Sequence, residues 1–233
     1  MQTGQRTKNR LIGKLFSCLA SLVGKKKKRE PPKPPTLQEL HKFIVFQVLE
    51  MSARYKVYCQ LFSETQERID LMEDCAPNFF TITHDTLLDD LAMILCRLTD
   101  PPTQGDRENP FENLVFERLL AEAGLERGKP ESDEFYLLLR TIKKDCQKFR
   151  SHRNRRIAHA EVSTALNKAQ LPKISKEALK DSVENIILLL KKVDGYLGLV
   201  DTEYEDMILE GDGNQIIWLL EQACAHKICR TKQ

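Results

Sequence analysis

Residues 87–102 read LLDDLAMILCRLTDPP. Leu87, Leu88, Leu91, Ile94, Leu95 and Leu98 recur at three- and four-residue spacing, so one face of an α-helix carries them all. Arg97 and Asp100 sit one turn apart on the polar side, and Pro101-Pro102 then stop the helix, because proline supplies no backbone donor. A strand would alternate with period two, and neither this stretch nor any other does so long enough to be read as one. The chain is read as helical from here outward.

The neighbouring segments repeat the pattern. Thr36 followed by Glu39 is a capping box. Leu37, Leu40, Ile44, Val48, Met51, Tyr55, Tyr58 and Phe62 keep one face apolar, which predicts a long first helix from 37 to somewhere before Pro77. Asn109 with Pro110 opens a helix through Leu114, Val115, Leu119 and Leu120 to Gly124. Ser132 or Asp133 begins another, striped by Phe135, Leu138, Leu139, Ile142, Cys146 and Phe149. Ser175 caps a fifth carrying Leu179, Val183, Ile186, Ile187, Leu190, Val193 and Leu197, and a last amphipathic helix runs from about 214 to 228. The expectation is an all-α antiparallel bundle in one domain, 36–233, with its core at about 37–200. The loops fall at 100–110, 124–132 and 160–174. Composition agrees: Leu occurs 32 times against 9 Val, with only 10 Gly in 233 residues, which disfavours a Rossmann or sandwich architecture.

A net charge of +2 divides unevenly. Residues 1–35 hold ten Lys or Arg against Glu30, a charge of +9; the remaining 198 residues carry −7. Within this arm Leu11, Ile12, Leu15, Phe16, Leu19, Leu22 and Val23 predict an amphipathic helix at 11–23, about 20 Å long and too short to span a bilayer of ~30 Å. Its basic flanks suit peripheral contact with an anionic membrane face, and docking on the body or on a partner is the alternative. A signal peptide has a similar outline, but Lys14 interrupts the apolar run and no small-residue cleavage site precedes Lys25. Lys25 to Pro35 then forms a basic, proline-rich linker, which could equally touch RNA phosphates. Seven scattered cysteines without a regular framework read as reduced thiols of a cytoplasmic protein. Cys224, His226 and Cys229 lack a fourth ligand and the C-x2-C spacing of zinc sites, so no metal and no cofactor are expected. The acids Asp201, Glu203, Glu205, Asp206, Glu210 and Asp212 read as solvated surface, with retention of the basic arm as the alternative.

One segment of the body reverses the charge. From Lys143 to His159 stand seven bases with only Asp145 against them, a local +6 in a body whose remainder is −13. Such a patch attracts a polyanion, and His152 and His159 are its only side chains that titrate near neutrality. RNA cleavage needs little more, since the ribose 2′-OH is an internal nucleophile; histidine can move protons while an arginine fork stabilises phosphoryl charge, with no metal required. The bland alternative is a solvated helix end whose cations offset the helix dipole.

Arg153-Asn154-Arg155-Arg156-Ile157-Ala158-His159 fits the R-x(4–6)-H motif, with a polar residue directly after the Arg, that marks HEPN domains. Cys96-Arg97-Leu98-Thr99-Asp100-Pro101 and Ile157-Ala158-His159-Ala160 resemble the abortive-infection U-type branch of that superfamily. The resemblance covers about 37–200 and leaves out the arm. It implies a metal-independent endoribonuclease of defence or toxin type, working at a composite homodimer site on an RNA substrate, with an antitoxin as a further partner. It also implies His159 as general acid or base, Arg153 as stabiliser of phosphoryl charge and Asn154 as orienting group. His152, Arg155, Arg156, Arg97 and Asp100 are candidates for support. On an ideal helix Arg153 and His159 would lie about 120° apart, so they converge only if the helix ends or distorts between them, or across a dimer. The rival readings are a non-catalytic HEPN module that binds nucleotide, RNA or protein, and a membrane-associated effector acting through its N-terminal helix.

Overall fold

In the computed structural model, the described residues are 34–105, 110–158, 174–200 and 202–231, with side chains at 157–158 and 226–231 excepted. The expected helix at 11–23 and the basic part of the linker lie outside them. Thr36 opens helix α1 (Leu37–Phe62) with the anticipated capping box: Thr36 Oγ1 accepts from the Glu39 N–H, and the Glu39 carboxylate accepts from the Thr36 N–H at 2.8 Å. Hydrogen bonds from Thr36 hold that carboxyl below its usual range.

The first helix ends before Pro77, as expected, and does so at Phe62. Ser63 and Thr65 break it, with the Thr65 hydroxyl capping α2 (Gln66–Cys75) by accepting from the Arg68 N–H. Two cations take carbonyls at the frayed end of α1: Arg68 Nη1 donates to the Gln60 carbonyl at 2.6 Å and Lys176 Nζ to that of Phe62 at 2.7 Å. Helix α3 (Pro77–Thr99) then starts with proline at its first turn, where the missing N–H costs nothing. It packs along α1, burying Leu91, Ile94, Leu95 and Leu98 against Ile44, Val48 and Met51 in one core.

A correction follows α3. Pro110 does not open a helix, and Asn109 lies outside the described residues. A minimal hairpin, β1 (Thr103–Gln104) with β2 (Phe111–Glu112), occupies this segment, its register pairing Thr103 with Glu112. Asn113 holds it by donating to the carbonyls of Pro101 and Pro102 at 2.7 and 2.8 Å, and the helix α4 (Phe116–Glu122) begins only after Val115. Next come a short 3-10 turn, Pro130–Ser132, then α5 (Asp133–Asp145) and α6 (Gln147–His152). Helix α7 (Lys176–Tyr196), capped by Ser175 Oγ, packs on α5 and α1; its stripe, Leu179, Val183, Ile186, Leu190 and Val193, closes the core. Helix α8 (Gly213–Thr231) lies against α1 and α2. The body is thus the expected all-α bundle. No described helix is long and apolar enough to cross a membrane.

Candidate functional site

The motif enters the structure on the α6 side of α3. Cys146 and Phe149, both fully buried, fix α6 against α3. Burial pushes the Cys146 thiol up to about 11 and that of its neighbour Cys96 to about 12, so neither is a nucleophile at neutral pH. From Arg153 to Ala158 the chain leaves α-helical winding for a π turn, a rare wider coil with i→i+5 bonding that recurs at functional sites. The distortion required between Arg153 and His159 therefore falls inside the motif. His159 itself lies outside the described residues.

Three carboxylates of α3 meet the basic side chains of α6 and the π turn. Asp85 and Asp89 are one turn apart, and Asp100, fifteen residues beyond Asp85, returns to within about 60° of it around the axis. Arg153 Nη1 donates to Asp100 Oδ2 at 2.6 Å, and its Nε donates to Asn154 Oδ1 at 3.0 Å. The same carboxylate accepts from Arg150 Nε at 3.4 Å, while Arg150 also donates to the Thr99 carbonyl (2.8 Å), to Thr99 Oγ1 (2.6 Å) and to the Lys143 carbonyl (3.0 Å). Arg150 is thus built into the end of α3, and Arg153 hangs on Asp100. The Arg153 side chain keeps 19% of its surface in this braced position.

His152 points inward. It is buried, with Nε2 2.6 Å from Asp89 Oδ1. Arg156 Nη2 donates to Asp85 Oδ2 at 2.8 Å, and its Nε lies 3.6 Å from Asp89 Oδ2. The hydrogen bond from Arg156 holds the Asp85 carboxyl below its ordinary range, and the carboxylate in turn raises Arg156. Arg155 is half-buried. Arg97, expected beside Asp100, instead points to solvent and makes no hydrogen bond or ion pair among the described residues; Asp100 turns to the motif.

This changes the meaning of the local +6. Lys143 pairs with Glu117, and Arg150, Arg153 and Arg156 with α3 carboxylates, so four of the seven cations are compensated in place. Lys144 and Lys148 remain exposed without an ion pair among the described residues. Arg150, Thr99, Asp85 and Asp89 were not anticipated as parts of the site. The i,i+4 spacing of Asp85 and Asp89 on a helix bordering a basic segment was the available signal. Among the described residues no cluster of three or more His, Cys, Asp or Glu could hold a metal; the side chains of His226 and Cys229 lie outside them.

No curated protein and no solved structure matches the chain. A family model does, that of the AbiU2 group of HEPN domains (HEPN_AbiU2), over residues 34–206, which takes in α1 to α7, the hairpin and the motif segment. The match spans well over half of the chain and coincides with the bundle and with the arginine braced on the end of α3. The chain belongs to the AbiU2 family, a defence-associated, abortive-infection branch of the HEPN superfamily.

Proposed function

We propose that this domain is a metal-independent endoribonuclease in which Arg153 and His159, contributed by two copies of the chain, act on one RNA phosphodiester. The observation that carries the reading is Arg153 itself, set on a π turn, oriented by Asn154 and braced by Asp100 with part of its surface in solvent. A guanidinium fixed in this way presents donors to phosphoryl oxygens with little ordering left to do. In the proposed reaction one His159 takes the proton of the 2′-OH as that oxygen attacks phosphorus. Arg153 stabilises the charge gathering on the phosphoryl oxygens. The His159 of the second copy protonates the departing 5′ oxygen, leaving a 2′,3′-cyclic phosphate and a 5′-hydroxyl. The seat of action is proposed to be cytoplasmic, with an antitoxin protein as restraint.

A second reading has its own support. Because Arg153 and Arg156 are already paired with carboxylates, the segment can serve as a cross-brace in a non-catalytic module that binds RNA, nucleotide or protein through Lys144 and Lys148. The two separate in one experiment: wild type and His159→Ala are incubated with total RNA in EDTA. Cleavage by wild type alone is the expected result. Equal cleavage by both removes His159 from the mechanism, and RNA binding without cleavage by either supports the binding module.

A further inference from the structure

Two cysteines far apart in the chain meet on the outside of the bundle. Cys75 is the last residue of α2 and exposed, Cys224 lies half-buried on α8, and their sulfurs are 3.5 Å apart across 149 residues of sequence. We propose that Cys75 and Cys224 are a thiol-oxidation site, closing to a disulfide that staples α8 to the domain. The inference does not depend on the ribonuclease reading.

The sulfurs are already in contact at 3.5 Å. A disulfide has them about 2.05 Å apart, so closure brings them nearer by about 1.5 Å. The other described cysteines are poor competitors. Cys96 and Cys146 are buried in the core, and burial also raises the half-buried Cys59 thiol. Helix α8 packs on the body through Ile217 and Leu220, and among the described residues its hydrogen bonds to the rest of the domain gather at its start. The Gly213 N–H donates to Gln60 Oε1 at 2.9 Å, Gln60 Nε2 donates to Asp212 at 2.7 Å, and Arg68 donates to Asn214 at 2.7 Å, all at the start of α8. Cys224 stands eleven residues further on, about 16 Å along the axis, where a second anchor would fix the helix's direction. Helix α8 also lies beyond the family match, which ends at 206, so the staple would join an appended helix to the family bundle.

The oxidant is a low-molecular-weight disulfide. The exposed Cys75 thiolate attacks one sulfur of it, forming a mixed disulfide and releasing one small thiolate. Cys224, having lost its proton, then attacks the Cys75 sulfur and expels the second. Two protein thiols are oxidised, one small disulfide is reduced to two thiols, and the two protons pass to the released thiolates.

The test uses the full chain with excess glutathione disulfide, followed by peptide mapping without reductant and thermal unfolding. The expected product is one linked peptide joining Cys75 to Cys224, an intact mass lower by two hydrogens, and a Tm raised by about 5–10 °C that dithiothreitol reverses. Cys75→Ser and Cys224→Ser lose both the link and the Tm rise. The proposal is overturned by stable glutathione adducts on both cysteines without a link, by preferential linkage of either to Cys18 or Cys229, or by a link that leaves the Tm unchanged.

Discussion

Replacing Asp100 by Asn should loosen Arg153 while leaving Arg150 in place. The Asp100 side chain is 12% exposed and accepts from both guanidinium groups, at 2.6 Å from Arg153 and 3.4 Å from Arg150. A hydrogen bond to a charged group contributes about 1.5–3 kcal/mol, and removing one partner of a fully buried ion pair costs about 3–5 kcal/mol. Asn keeps the shape and one acceptor, so Asp100→Asn is expected to cost about 2 kcal/mol in urea unfolding followed by far-UV circular dichroism. The partition between the arginines is the sharper part. Arg150 retains three other hydrogen bonds, to Thr99 twice and to the Lys143 carbonyl, whereas among the described residues Arg153 retains only Asn154. Double-mutant cycles should therefore give about 1–2 kcal/mol of coupling between Asp100 and Arg153→Gln, and under about 0.5 kcal/mol between Asp100 and Arg150→Gln. Additivity of the Asp100 and Arg153 substitutions, or the larger coupling falling on Arg150, would refute the brace.

Acid should weaken the contact between α3 and the π turn. The folded-state pKa of Asp85 is depressed by Arg156, so its contribution is present above the unfolded value near 3.8 and is lost as pH falls below that through the folded value; Asp85→Asn should flatten the acid limb of a stability-against-pH curve. Leu95→Ala, at a fully buried position of α3, should cost about 2–5 kcal/mol by chemical unfolding, and a cost under about 1 kcal/mol would contradict its place in the core. Gly213→Ala puts a methyl 2.9 Å from Gln60 Cβ and 3.2 Å from Leu61 Cγ. It should destabilise by about 1–3 kcal/mol and alter the fluorescence of Trp218, the single tryptophan, five residues along α8.

What was legible in the sequence was whatever local chemistry decides. The capping box at Thr36 and Glu39, the Ser175 cap and the apolar stripes of α3, α5 and α7 all depend on neighbours within one or two turns, and each is where the spacing puts it. The break at Ser63 to Thr65 was hidden because the apolar stripe runs on through Ile69 and Met72, while one cation that stabilises the end of α1, Lys176, comes from 114 residues away. The hairpin was hidden by its length, two residues a strand being too few for alternation to register. At the site, Arg153 and Asn154 were visible through their motif. Asp100 stood among the supporting candidates, but Asp89 and Asp85, 63 and 71 residues before their partners His152 and Arg156, were not assigned to the site. Charge counted along the chain overstated the patch for the same reason: the compensating acids belong to another helix.

The most direct test of the ribonuclease reading is the chemistry of the cut end. Wild type, Arg153→Ala and His159→Ala are each incubated in EDTA with an end-labelled single-stranded RNA, and with the same RNA carrying 2′-deoxyribose throughout. The account predicts products ending in 2′,3′-cyclic phosphate from wild type only, and none from the deoxy strand. Cleavage that survives either substitution, that proceeds on the deoxy strand or that leaves 3′-hydroxyl ends would contradict it, as would intact RNA in every lane.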